Sequence, residues 1–543
     1  MNRKRQNSTN KTRAAGRKPA AEQVRAAGKE SPRKRPADAP YKKNDLVTVR
    51  IRDIAEGGEG IGRVPATDGK SAGYTLFVKD AVIGDIVQAQ ITKPGRSYAY
   101  ARLYAISEPS PHRVQAPCPV YRSCGGCQLQ ALDYAQQLAY KTGKVRSDLQ
   151  RIGGFSPEEL DRLMQPALAA PAPFHYRNKA QVPVGMVNGC PAAGFYAGRT
   201  HSIIPHTTCL LEQPSCHALL TTILSWMGQN KIPAYDEETG KGLVRHVLLR
   251  TGRSSGEILV CLIVNSDRLP QERQLVEMLR ETELGAAPHL VGIVLNTNTA
   301  RTNVILGQQD RILWGRDWIQ DSLQLQEVTG LQTGSSAEAG QESDAQASPE
   351  FTPAGTPISF RISPHAFYQV NAEQTERLYS IAVSLAGLTG EETVWDLYCG
   401  VGTISLFMAQ RAGRVCGVEI IPEAVENARQ NALRSGISNA EFFVGKAEEV
   451  LPAQAALGAR ADVICVDPPR KGCDRRCLDT ILQMSPQRVV YISCNPATLA
   501  RDLKILREGG YSVEIVQPVD MFPQTVHVET VCLLTQDAVD RNV

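Results

Sequence analysis

A thiol stands where a strand hands over to a loop. Residues 489–492, VVYI, form a short apolar run of β-favouring types. Ser493, Cys494, Asn495 and Pro496 follow, and a helical pattern begins near Ala497. Free cysteine often serves as a small buried filler. At a strand end that opens into a loop, the same residue type is also suited to be a nucleophile.

The neighbouring strand ends supply a place for a second reactant. In DLYCGVGTISL, 396–406, Asp396 ends a strand and Gly400 and Gly402 form the turn. No third glycine follows at the step a dinucleotide loop needs, and no phosphate-binding lysine is present. The loop suits a nucleoside-type ligand that needs close backbone approach without a pyrophosphate cradle. Glu419 ends the next strand, 23 residues after Asp396. An acid there can accept hydrogen bonds from both ribose hydroxyls. The two acids together favour S-adenosylmethionine, whose sulfonium cation tolerates acidic surroundings. A further strand ends in VDPPR, 466–470. Methylation of exocyclic amines uses a related Asp/Asn-Pro-Pro stretch followed by an aromatic ring, and here Arg470 takes that place.

A methyl donor beside Cys494 points to carbon 5 of a pyrimidine, which is not reactive enough unaided. A thiolate adds to carbon 6, the resulting enolate attacks the methyl group, and a base removes the carbon 5 proton as the thiol leaves. MFPQTVHVETVCLLT, 521–535, offers His527 and Glu529 for the base. Either could instead be an ordinary strand residue. Cytosine enzymes of this chemistry typically carry Pro-Cys, whereas this chain has Ser493-Cys494.

A second constellation lies far upstream. CPVYRSCGGCQLQ sets Cys118, Cys124 and Cys127 in a C-x5-C-x2-C pattern, with Gly125 and Gly126 permitting a tight turn. Cys209, in IIPHTTCLLEQ, is the best fourth ligand. Four thiolates fit zinc or an iron–sulfur cluster, and spacing alone does not choose. The 14 cysteines of the 543-residue chain are too scattered for a disulfide framework.

These residues need elements to hold them. From 392 onward, strands ending in polar or Gly-rich loops alternate with helices, which implies a parallel sheet covered on both faces, with ligands at the carboxyl ends of its strands. Residues 174–310 read as alternating strands and turns. Residues 44–107 read as short strands between Gly and Asp turns, hence a small β-barrel. Residues 1–43 carry fourteen Lys and Arg against three acids, although the net charge is only +4. That stretch reads as a disordered basic arm, either a solubilising tail or a clamp on RNA phosphates. Residues 329–355 are rich in Ser, Gly and Ala and read as a flexible polar insert. No apolar run reaches membrane-span length and no hydrophobic segment follows the basic N-terminus, so a cytoplasmic protein without a membrane partner is expected.

Taken together, the chain resembles the RNA uracil-5-methyltransferases that use S-adenosylmethionine. It is most similar to the ribosomal-RNA branch with an N-terminal TRAM domain. The resemblance covers about 44–543 apart from the insert and rests on CPVYRSCGGCQLQ, FRISPHAFYQVN, DLYCGVGT, DPPRKGC, SCNPATLARDL and FPQTVHVETV, in that order. It implies an α/β architecture: a Rossmann-like catalytic domain at 356–543, an OB-like, RNA-binding TRAM barrel at 44–107, and a central α+β domain at 108–328 carrying an iron–sulfur site. It also implies that about 130–160 packs with the catalytic domain. Cys494 would be the nucleophile and Glu529 the base. Gln369, Tyr398, Glu419 and Asp467 would contact the cofactor, and Cys118, Cys124, Cys127 and Cys209 would hold a 4Fe-4S cluster. The expected partner is RNA, 23S rRNA first, handled by a monomer. The alternatives are a T-loop uridine of tRNA, or an RNA-binding assembly factor whose catalytic core is silent.

Overall fold

The structure, a computed structural model, describes residues 39–65, 73–331 and 348–537. Most of the basic arm therefore lies outside the described residues. At its inner end Tyr41 packs against Tyr74, ring centroids 5.2 Å apart.

Five strands, β1 (Leu46–Ile54), β2 (Gly60–Val64), β3 (Tyr74–Lys79), β4 (Ile86–Pro94) and β5 (Tyr98–Glu108), close into a barrel in the order β1-β2-β3-β5-β4. Their residues alternate between core and surface, so Val49, Ile51, Leu76, Val78, Val87 and Ile91 fill the interior.

Two helices follow, α1 (Tyr134–Arg151) and α2 (Pro157–Leu163). Asp133 caps α1 by accepting from the Gln136 amide at 2.7 Å, and Ser156 with Glu159 forms a capping box on α2. Val145, Leu149, Phe155 and Leu160 join the same apolar cluster as Tyr491, Leu499 and Val516 near the C-terminus. The segment after α2 then runs along the edge of the C-terminal sheet, with Met164 and Leu168 bridging Val516 and Val519 in parallel.

A six-stranded mixed sheet comes next. It is built from β6 (Lys179–Val187), β7 (Cys190–Ala193), β8 (Val244–Thr251), β9 (Glu257–Val264), β10 (His289–Thr297) and β11 (Gln309–Gly315), in the order β11-β10-β9-β8-β6-β7. Helices α3 (Pro214–Gln229) and α4 (Glu272–Arg280) interrupt the expected succession of strands and turns. Trp226, Leu219 and Leu275 on them are buried in the core cluster of this sheet. Tertiary burial outweighs the β-branched Thr221-Thr222-Ile223 run within α3.

Strands β12 (Ile319–Leu323), β13 (Gln326–Thr329), β14 (Glu350–Pro353) and β15 (Ile358–Ile362) form two short ladders, β12 with β15 and β13 with β14. This corrects the boundaries of the polar insert, because Thr329 pairs with Glu350 and Gln326 with Pro353. Phe351 anchors the returning strand: it packs against the core, and the Arg377 guanidinium lies 5.1 Å from its ring centroid.

The C-terminal unit contains α5 (Ala372–Ala386), β16 (Thr393–Leu397), α6 (Thr403–Ala409), β17 (Arg414–Glu419), α7 (Pro422–Arg434), β18 (Ala440–Val444), α8 (Ala447–Ala456), β19 (Val463–Val466), α9 (Arg475–Met484), β20 (Arg488–Ser493), α10 (Pro496–Glu508), β21 (Tyr511–Val519) and β22 (Glu529–Gln536). Its sheet runs β18-β17-β16-β19-β20-β22-β21. The pairs from β18 to β20 are parallel; β22 is antiparallel to both β20 and β21. The chain leaves β16 for β17 on one side and returns to β19 on the other. The carboxyl ends of β16 and β19 therefore flank a topological switch point, where such sheets bind ligands. Among the described residues no helix is long and apolar enough to cross a membrane.

Candidate active site

Register brings the thiol and the acid together. Ser493 of β20 pairs with Thr530 of β22, and the strands are antiparallel. One step further along that register Cys494 comes opposite Glu529, whose charge acts on the thiol. Glu529 is buried and Cys494 is half-buried. Burial pushes the Glu529 carboxyl up to about 8, and the nearby Asp467 charge pushes in the same direction. Burial, then Glu529, then Asp467, raise the Cys494 thiol to about 11. Arg470 opposes both shifts. The Arg470 backbone carbonyl accepts from Asn495 Nδ2 at 3.2 Å and from Thr498 Oγ1 at 3.3 Å. These bonds tie the loop after β19 to the loop that carries the thiol.

Acids line the rest of this edge. Asp467 directly follows β19, and burial alone lifts it to about 6. Asp396, inside β16, is raised to about 7, first by burial and then by Asp467 and Glu419, against a hydrogen bond from Ser405. Its Oδ1 is buried without a partner. Glu419 ends β17 and accepts from the Gly400 amide at 3.1 Å and the Ile421 amide at 2.9 Å, one on each oxygen. Gly400 and Gly402 have φ of 56° and 82°. A Cβ on Gly402 would stand 3.0 Å from Ala428 Cβ, so the turn admits no larger residue there without displacement.

Gln369 enters from the segment before α5. Its carbonyl accepts from Asn178 at 2.8 Å, and its Nε2 reaches the Tyr379 hydroxyl at 3.5 Å. Tyr379 is buried, and the charges of Asp467, Glu529 and Asp396 all act on it. Tyr398 follows β16 with φ of 70°, and its hydroxyl interacts with Cys477. His527 is neutral: burial and the charges of Arg470, Lys144 and Lys141 lower it to about 4.

The resemblance implies that about 130–160 packs with the catalytic unit, but not the contacts that hold Glu529 in place. The 520–528 loop is gripped from outside the sheet. Lys141 of α1 ion-pairs with Asp520, both side chains fully buried, and donates to the Phe522 carbonyl at 3.1 Å. Lys144 donates to the Val526 carbonyl at 3.2 Å. Gln137 donates to Gln524 Oε1 and accepts from the Gln524 amide. The Gln128 and Leu129 amides donate to the Gln524 carbonyl at 2.9 and 3.0 Å, and Gln524 has φ of 70°. No local sequence signal marks these pairs, since some 380 residues separate Lys141 from Asp520.

The four upstream cysteines form a separate place. Cys118, Cys124, Cys127 and Cys209 line one cavity of about 70 Å³, with Phe195, His206 and Leu210 among its other walls. Burial raises both Cys127 and Cys209 to about 12. Among the described residues, no three His, Cys, Asp or Glu side chains converge closely enough to hold a single metal ion. Gln128, next after Cys127, is one of the residues bonded to Gln524, so this place adjoins the scaffold of the catalytic loop.

A doubly wound sheet with an acid-lined switch point and a Gly turn without a phosphate cradle defines a nucleoside-cofactor enzyme of the methyltransferase type. The tRNA (Uracil-5-)-methyltransferase family model matches residues 348–537, and the TRAM domain model matches 42–104. An uncharacterised RNA methyltransferase of Halalkalibacterium halodurans is 44% identical over 496 residues, covering 91% of this chain and 98% of that one. One of Clostridium acetobutylicum is 42% identical over 495 residues, covering 91% and 98%. The fold matches that of the Pyrococcus abyssi tRNA (uracil-54, C5)-methyltransferase solved with S-adenosyl-L-homocysteine, at a TM-score of 0.65 and 23% identity, over 90% of this chain and all of that one. The chain belongs to the S-adenosylmethionine-dependent RNA uracil-5-methyltransferase family and carries a TRAM domain.

Proposed function

We propose that this enzyme methylates carbon 5 of a uridine in 23S rRNA, in the cytoplasm, with Cys494 as nucleophile and Glu529 as base. The observation that carries the reading is the meeting of Cys494 and Glu529 at the acid-lined edge. S-adenosylmethionine, when bound, supplies the methyl group from a sulfonium centre. The site suits such a cation: Asp396, Glu419 and Asp467 gather negative charge there, and Asp396 Oδ1 has no partner. Glu419, Asp467 and Gln369 would hold it, with Tyr398 shaping the turn beside Gly400.

Cys494 gives its proton to solvent and its sulfur adds to carbon 6 of the uracil, leaving the electron pair conjugated with the carbon 4 carbonyl. Arg470 is the cation that favours the thiolate. Once carbon 5 carries its methyl group, Glu529 takes the carbon 5 proton. The electrons of that C–H bond reform the 5,6 double bond and expel the Cys494 thiolate. A carboxyl at about 8 is tuned for this step, because it binds and releases a proton near neutral pH. The target base must leave its stack to reach the buried pair.

The cysteines at 118, 124, 127 and 209 hold a 4Fe-4S cluster in this reading. Their common apolar cavity supports it. The four side chains would hold such a cluster as thiolates. Iron and acid-labile sulfide in anaerobically purified protein, lost on Cys124→Ser, test that part.

The TRAM barrel favours 23S rRNA, because the resembling tRNA branch generally lacks one. The test incubates the protein with labelled S-adenosylmethionine and unmodified 23S rRNA or total tRNA, followed by nucleoside mass spectrometry. 5-Methyluridine in 23S rRNA supports the proposal. Label in tRNA alone replaces the substrate and keeps the chemistry. Cofactor binding without label in either RNA leaves a silent RNA-binding factor.

A further inference from the structure

The barrel turns an aromatic face outward, which its own folding does not require. Strands β3 and β5 run parallel, with Phe77 beside Tyr100 and Thr75 beside Tyr98. Their outward residues lie opposite the buried Leu76, Val78, Ala99 and Ala101. Phe77 and Tyr100 stack at 5.3 Å with 30° between planes, and Tyr98 meets each of them edge-on at 5.8 and 5.9 Å. Tyr98 is 46% exposed. Three rings in mutual contact at the surface make a small platform with an open side.

Cations ring the platform. Lys93 lies 6.0 Å from the Tyr100 ring centroid, and Arg199, reaching over from the central domain, lies 5.4 Å from it. Arg102 follows two residues after Tyr100 on the same face and bonds the neutral Gln90 at 2.9 Å. On the other flank, Arg63 of β2 pairs with Thr75 and Ile61 with Phe77. None of these outward strand residues is acidic. Glu59 is paired with Arg199.

We infer that the β3–β5 face of the barrel binds an unpaired segment of the RNA substrate, its bases stacking on Phe77, Tyr98 and Tyr100 and its phosphates meeting Lys93, Arg102 and Arg199. The inference rests on the reading of an RNA substrate and adds the form in which that RNA is held. Rings select unpaired bases because a duplex hides its base faces inside the stack. A surface of cations alone would bind duplex and single strand through phosphate charge with little preference. The barrel also stands beside the catalytic unit: its loop after β1 carries Glu56, whose charge acts on His527, and the Ile54 carbonyl accepts from Tyr140 of α1. A strand held here would be the flank of the RNA whose target base enters the pocket.

The test uses the full chain, a fluorescent unstructured RNA oligonucleotide and a fully paired RNA hairpin of equal charge. Tyr98→Leu/Tyr100→Leu keeps apolar bulk and removes the ring faces. It is expected to weaken single-strand binding by roughly tenfold or more, from typical base–aromatic stacking, and to leave hairpin affinity within about twofold. Tyr98→Phe/Tyr100→Phe keeps the rings and is expected to bind as the unaltered protein does. Equal losses on both RNAs, or no loss on either, overturn the inference. So does a Tyr→Phe pair as weak as the Leu pair. Methyl transfer by the unaltered chain is scored separately on 23S rRNA and tRNA, so failure of the catalytic reading is distinguishable from failure of the platform.

Discussion

Lys141→Met isolates the contribution of α1 to the catalytic loop. In the native protein Lys141 and Asp520 are both fully buried and face one another. Burial lowers the lysine and raises the aspartic acid, so each ion is held by the other rather than by water. Met keeps the length and apolar stem but leaves the Asp520 carboxyl in the interior without its cation. Breaking a buried pair from one side costs about 3–5 kcal/mol. For a unit of this size that lowers Tm by about 6–20 °C. Lys141 also holds the Phe522 carbonyl, so loop 520–528 loses a second anchor and Glu529 loses its fixed approach to Cys494. Thermal unfolding reads the first effect, and single-turnover methylation at permissive temperature reads the second. Amide exchange across 520–528 shows whether the damage is local. Lys141→Met/Asp520→Leu removes both charges and is expected to regain most of the lost stability. A single variant that melts within about 2 °C of the unaltered protein and keeps its rate would refute the reasoning. So would a double variant no better than the single.

Four further outcomes follow from the site. Glu529→Gln removes the base but leaves the thiol, so turnover drops by roughly 10²–10⁴ and an RNA–protein adduct accumulates on a denaturing gel; Cys494→Ala gives no adduct. Glu529 is protonated below about 8 and the Cys494 thiol below about 11, so the single-turnover rate should rise steeply with pH up to about 8 and less steeply above it, and Asp467→Asn, which removes a charge that raises Glu529, should move that break lower at saturating cofactor. The same raised value works against stability: the folded state holds this proton from the ordinary carboxyl range up to about 8 and the unfolded state does not, so the free protein loses stability with rising pH across that window. Gly400→Ala forces a Cβ into φ of 56° at a cost of about 1–2 kcal/mol and weakens cofactor binding measured by calorimetry.

The parts of this fold visible in the sequence were those with local signatures. Period-two alternation marked the barrel, and strands ending in Asp396, Glu419 and Asp467 marked the cofactor edge, because each pattern spans only a few residues. Helix α3 was hidden because its outer face carries Thr221, Ser225, Gly228 and Gln229 and no charged residue, so the buried stripe of Cys216, Leu219, Leu220, Ile223, Trp226 and Met227 stands out weakly against it. The flank of the polar insert was misplaced because β14 is four residues long and depends on Phe351 finding the core and Arg377. The Lys141–Asp520 pair and the Gln137–Gln524 exchange had no signature at all. They exist only once the chain is closed.

The reversed strand explains why the base can sit so late in the chain. In a parallel sheet every strand delivers its end to the ligand edge and its start to the opposite edge. A residue at the start of a strand therefore never meets Cys494 unless that strand runs backwards. β22 does so, next to β20, and its first residue is Glu529. The reversal has a consequence: the loop that leads into β22 lies over the ligand edge instead of beneath the sheet, where it would be covered by helices. It then needs support from elsewhere, and α1 with the segment after Cys127 provides it through Lys141, Lys144, Gln137, Gln128 and Leu129. An N-terminal segment that adds no residue to the reacting pair is in this way built into the geometry of proton removal.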